Sequence, residues 1–156
     1  MFVYTMKASG LKFFAVVAVS VALLAALIAI LPAVNAESDA AAVNTDFRNI
    51  SDEYDMVEFL KQFGYEVDPV PVEKLTVLIP DEFNSVFEKY NRIQRAQGLN
   101  LKRYAGKEAE IYTFKVTNYG VDNVFATLFI RNERVIAGDV CSADGESFVH
   151  GFKRPA

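Results

Sequence analysis

The chain has one cysteine, one histidine and no tryptophan among its 156 residues. Cys141 therefore has no partner for an internal disulfide, and with a single histidine the Cys- and His-rich zinc patterns are excluded. Asp139, Asp144 and Glu146 lack the spacing of a calcium loop, and no glycine-rich phosphate loop or nucleophile elbow occurs. No metal or cofactor is expected from these residues. Acids are absent before Glu37, and bases are in the minority after it. From there on, fourteen Lys and Arg face twenty Asp and Glu, a formal charge of −6. That balance argues against a nucleic-acid partner, which needs a basic footprint.

What the N-terminus does have is one long apolar run. Phe13–Leu31 carries no charge, and as a helix it would be about 28 Å long, close to the hydrocarbon thickness of a bilayer. Lys7 and Lys12 precede it, so the positive-inside rule places the N-terminus in the cytoplasm and the remainder outside. Two readings stay open. The length of the run favours an uncleaved anchor, whereas Pro32 followed by Val34-Asn35-Ala36 offers a signal-peptide cleavage pattern after Ala36. The expected organisation is a membrane segment over 1–36, a small polar tether over 37–48 and one α+β domain over 49–156.

Within that domain the periodicity predicts a helix over 49–64. Ser51 is its expected N-cap, Met56, Phe59, Leu60 and Phe63 its buried face, and Gly64 its stop. Pro69 and Pro71 then hold an extended connector. Glu73–Ile79 reads as a strand, apolar enough on both sides to suggest an interior position. A second helix is expected over 81–97, capped by Asp81 and stopped by Gly98. Its stripe contains Phe83, Val86, Phe87, Tyr90 and Ile93, with Gln94 and Gln97 in the same projection, and Glu88 with Arg92 as an i,i+4 pair on the outer face. Leu99 and Leu101 should tuck under the following loop. Strands follow at 108–118, 124–131 and 134–141, the last two joined by Asn132-Glu133. A bulge or close approach is expected at Gly138-Asp139, and a short edge strand at Phe148-Val149. The expected fold is two helices packed on one face of a mainly antiparallel four- or five-stranded sheet.

Several positions resemble a family of bacterial extracytoplasmic domains of unknown function. They are Ile79-Pro80, Phe83, Tyr90-Asn91, Gln94, Gln97-Gly98 and Leu101, then Tyr104, Gly106-Lys107, Tyr112-Thr113-Phe114 and Asn118-Tyr119. Ile136 to Val140 and His150-Gly151-Phe152 complete the set, so the resemblance covers about Tyr54 to Phe152. Members usually carry a second glycine where this chain has Ala137, which weakens the case for a glycine-dependent contact at that point. The resemblance implies a membrane-anchored α+β domain and no catalytic residue.

The candidate site is the polar set Tyr90, Asn91, Gln94 and Gln97, joined by Asp139 and His150. An unpaired buried amide costs about 1–3 kcal/mol, so amides on an apolar face must find partners. They either line a small-ligand pocket or bond backbone of the Gly98–Gly106 loop or of the Gly138 strand, and the second is the commoner arrangement. His150 with Asp139 or Asp144 and Ser142 or Ser147 would make a serine triad on paper, without the elbow or oxyanion loop such a triad needs. Lys89, Arg92, Arg95, Lys102, Arg103 and Lys107 form a basic segment suited to lipid heads or an anionic wall polymer, or simply a solvated face. The expected function is a non-enzymatic binding module at the cell envelope, anchored in the bilayer through residues 13–31. Its partner there is an envelope protein or polymer. A secreted module and an envelope hydrolase are the alternatives.

Overall fold

Asparagine and aspartate caps fix where the two described α-helices begin. The computed structural model describes residues 45–143 and 148–155. The run 13–31 and the Ala36 junction lie outside them, and among the described residues no helix is long and apolar enough to cross a membrane. Helix α1 spans Glu53–Lys61. Asp52, rather than the expected Ser51, caps it by accepting the Asp55 N–H at 2.9 Å. Ser51 instead donates its hydroxyl and its N–H to the Asp55 carboxylate. Helix α2 spans Ser85–Ala96, and its cap is Asn84, whose Oδ1 accepts from the N–H groups of Val86 and Phe87. The expected cap Asp81 is used elsewhere: its carboxylate lies over Gly106, where any Cβ would collide with it. Both helices stop at a left-handed glycine, Gly64 with φ 81° and Gly98 with φ 82°, a conformation that glycine adopts without steric cost.

The described residues form five strands, β1 (Glu73–Leu78), β2 (Glu108–Lys115), β3 (Val124–Arg131), β4 (Arg134–Ser142) and β5 (Val149–His150). They form one antiparallel sheet in sequence order. Among the described residues β1 is therefore an edge strand and not an interior one. The apolar side chain that made its second face look buried, Leu78, is 65% exposed. Asn132 and Glu133 join β3 to β4 with φ of 49° and 55°, the two positive values a type I′ turn demands. The irregularity in β4 lies next to that turn. Phe129 opposes Ala137 while Ile130 opposes Val135, so Ile136 is the extra residue. Gly138 is not bulged but marks a close approach: a Cβ there would sit 2.3 Å from the Phe152 ring and 2.5 Å from the Thr127 carbonyl.

The helices do not share a face of the sheet. Met56, Phe59 and Leu60 of α1 pack with Tyr112, Phe114, Ala126, Leu128 and Val140, which the register places on one side. Tyr90 of α2 packs with Ala109, Phe129, Ile136 and Ala137, and the alternating partners Ala109, Phe129 and Ala137 point the other way. The sheet is thus the middle of three layers, and β4 is buried along nearly its whole length. Phe152, beyond β5, returns into the α1 side, where its ring meets Phe59 edge-on at 5.1 Å.

Candidate functional site

The polar set is built where α2 lies along β4. Tyr90 and Gln94 sit one turn apart on the inner face of α2, and both are buried. Gly138 and Asp139 are successive residues of β4, so their side-chain positions face opposite layers. Asp139 points toward α2, beside Thr127 of β3 in the pairing register.

Tyr90 Oη donates to Asp139 Oδ1 at 2.7 Å. Asp139 is fully enclosed, and Oδ2 has no conventional hydrogen-bond partner. Burial pushes its carboxyl up to about 6, opposed by the Tyr90 hydroxyl and the Cys141 thiol. Burial, with Asp139 beside it, drives the Tyr90 hydroxyl well above its ordinary value. Cys141 is raised for the same two reasons. Tyr90 therefore remains a proton donor at any physiological pH, and Cys141 remains a thiol rather than a reactive thiolate. No solvent path reaches the Tyr90–Asp139 pair in this arrangement, since the two residues are 1% and 0% exposed.

Gln94 and Gln97 complete the edge of β4. Alternation from the Val140–His150 pair would set Gly138 directly opposite Phe152. Their backbones do not meet; the Gln97 amide stands between them. Its Nε2 donates to the Gly138 carbonyl at 2.8 Å and its Oε1 accepts the Phe152 N–H at 2.8 Å. Gln94 Oε1 accepts the Gly138 N–H at 2.9 Å and a second Gln97 N–H at 2.8 Å. The two side chains act as one residue of a missing strand. Asn91 serves a different segment. Its Oδ1 accepts the Leu101 N–H at 2.8 Å and its Nδ2 donates to Asn100, which holds the single-turn helix Leu101–Tyr104 against α2.

His150 does not join them. Paired with Val140, it projects to the α1 side of the sheet, opposite to Asp139. Its Nε2 meets Tyr119 Oη at 2.8 Å, and its ring stacks on Phe148 at 5.4 Å, with Arg154 over Tyr119. Burial lowers its pKa below the ordinary histidine value. An Asp139–His150 dyad is therefore ruled out by the sheet itself. Asp144, Glu146 and Ser147 lie outside the described residues. Among the described residues no group of three acids, His or Cys could hold a metal ion.

The basic segment is split by one ion pair. Glu88 takes Lys102, in place of the expected Arg92. Lys89, Arg92, Arg95 and Arg103 are exposed. A surface depression of about 300 Å³, lined by Thr45, Asp46, Phe47, Arg48 and Arg134, lies at the N-terminal entry to the fold. Nothing in the sequence pattern marked it, because it forms where Phe47 pairs with Val135 across the chain.

Residues 59–140 match the family described as Domain of unknown function (DUF4830). The chain belongs to that family. The match takes in α2, Asp139 and all four side chains of the Tyr90–Gln97 set, and ends before His150 and Phe152. No curated protein and no solved structure matches the chain.

Proposed function

We propose that this DUF4830 protein is a membrane-anchored, extracytoplasmic interaction module that performs no catalysis and meets an anionic surface of the cell envelope through the outer face of α2. One contrast carries the reading. The inner face of α2 turns its polar groups to β4 and the neighbouring loop, the buried Gln94 Nε2 alone among them having no hydrogen-bond partner. Its outer face presents Lys89, Arg92 and Arg95, with no acidic partner among the described residues, on a domain of net negative charge. Cations gathered on one side of an acidic domain orient it toward an anionic partner. The charge-free run 13–31 and the lysines before it support placing that partner outside the membrane.

The test has two arms. Full-length protein should stay with membranes through carbonate extraction and be digested by protease added to intact cells. Recovery in the soluble fraction with a mature start at Glu37 would replace the anchor by a secreted module. Independently, K89E/R92E/R95E should abolish salt-sensitive retention by isolated envelopes. Unchanged retention would remove α2 as the contact surface.

A further inference from the structure

We infer that three arginines lined up across one end of the sheet form a phosphate-binding site. Arg131 of β3 lies directly opposite Arg134 of β4, and Arg134 lies opposite Arg48 on its other side through an isolated bridge. Residues paired in an antiparallel ladder project to the same face, with Cβ atoms about 5 Å apart. Their chain neighbours Ile130, Val135 and Phe47 all pack into the α1 layer, so alternation turns the three arginines to the other side of the sheet. Each pairing sets like charges face to face, which costs stability. The row is built on the sheet and not on α2, so it goes beyond the surface proposed above.

The row is short of negative charge. Among the described residues Asp46 is the carboxylate bonded to it, meeting Arg48 Nε at 3.0 Å and Nη2 at 3.4 Å. Arg131 donates to the Glu108 carbonyl, which brings no countercharge. Arg134 is exposed, and its guanidinium has no hydrogen bond or ion pair among the described residues. The Arg48 hydrogen bonds, and more weakly the charge of Arg134, hold the Asp46 carboxyl below its ordinary value. Glu133, in the turn between Arg131 and Arg134, forms no ion pair with either. Three cations less one carboxylate leave a formal +2. Beside them lies the depression of about 300 Å³ that Arg48 and Arg134 line with Thr45, Asp46 and Phe47.

Phosphate is the group that this charge and geometry fit. It carries one negative charge as a diester and up to two as a monoester, and guanidinium forks pair with its oxygens. Asp46 already occupies one fork of the row, and Arg134 at its centre offers an open one. A phosphate held there turns two repulsive pairings into attraction to a shared anion. Two sources carry the group, free phosphate and a lipid head group. The site lies where the chain enters the fold, and residues 32–44 separate it from the end of the apolar run, at most about 45 Å of chain. Head-group phosphates of the anchoring bilayer are therefore within reach. That source rests on the membrane reading above, whereas the phosphate chemistry of the row does not.

The experiment follows the melting of the full chain in maltoside micelles by tyrosine fluorescence, at constant ionic strength. Sodium phosphate, or phosphatidylglycerol mixed into the micelles, should raise the melting temperature, as a ligand of the folded form does. Sodium acetate should not. A shift with phosphate assigns the free anion, and a shift with phosphatidylglycerol alone assigns the lipid head group. R134Q should weaken the response to the effective probe at least about tenfold. Without any probe it should melt no lower than the wild type, because two like-charge pairings are relieved. K115Q removes an exposed charge at the far end of β2 and should keep the full shift. No shift with either probe, an equal shift with acetate, or a full shift retained in R134Q would each overturn the proposal. A lower melting temperature of R134Q without any probe would make the row structural and overturn it too.

Discussion

Replacing Asp139 by asparagine should change how stability depends on pH. In the folded protein its carboxyl is raised to about 6 against an ordinary value of 3.8, with burial the main cause. A raised carboxyl favours the protonated form in the fold. Its contribution is therefore fully present below about 3.8 and is lost as pH rises through about 6. A difference of roughly two units corresponds to about 3 kcal/mol of stability surrendered across that window. The asparagine amide keeps an oxygen for the Tyr90 hydroxyl and carries no charge, so D139N should lose this decline. His150 acts in the opposite sense. Its lowered pKa means that stability is lost as pH falls through the ordinary histidine range. The wild-type profile is the sum of opposing slopes, and the difference between wild type and D139N isolates Asp139. Urea unfolding at a series of pH values, followed by tyrosine fluorescence because tryptophan is absent, measures it. If wild type and D139N differ by a constant amount from pH 4 to 7, Asp139 does not titrate in the fold and the reasoning fails.

Other substitutions address the packing. Q97M should cost about 2–4 kcal/mol, since it leaves the Gly138 carbonyl and the Phe152 N–H unpaired, and hydrogen exchange should show the Phe152 amide losing protection. G138A drives a Cβ into the Phe152 ring and the Thr127 carbonyl; a loss of about 3 kcal/mol in urea unfolding is expected, because backbone cannot yield as a side chain can. E133G should raise stability by about 0.5–1 kcal/mol, because Glu133 holds a φ of 55° that glycine adopts freely; a lower melting temperature would contradict the turn assignment. H150Q in the D139N background should flatten the remaining acid-side slope, read in the same unfolding series.

The sequence made the elements legible and left their arrangement open. Met56, Phe59 and Leu60 repeat at helical spacing and are buried, and Gly64 and Gly98 stop the helices they follow. A stripe says that a face is covered, not which side of a sheet covers it. The clue lay in β3, where Ala126, Leu128 and Ile130 alternate with Phe125, Thr127 and Phe129. Two apolar faces on a central strand require a layer on each, so the helices divide between them. The same pattern in β1 means something else, because a strand with an exposed edge can also leave Leu78 in water. Cap positions were ambiguous for a chemical reason. Asp81 and Asn84 are both good caps, and the choice between them turned on Gly106, distant in sequence. Gln94 and Gln97 announced that something polar lay opposite them. Only the pairing of β4 identified it as the backbone of Gly138 and Phe152, and placed His150 in the other layer.

The Gln97 amide ties the segment beyond β5 to α2 and β4. Phe152 N–H is held by a side chain from α2, and the Phe152 ring fills the layer beneath α1. The stretch that matches the family ends at Val140, so the sheet through most of β4 precedes this closure. During synthesis the two layers remain unsealed until Phe152 has left the ribosome. Until then the Gly138 edge and the cavity awaiting Phe152 are both exposed. A chain that stops short of Phe152 has completed every described helix and every long described strand and still lacks its seal. Its vulnerability to proteases should therefore depend on the short segment carrying Phe152 far more than its length suggests.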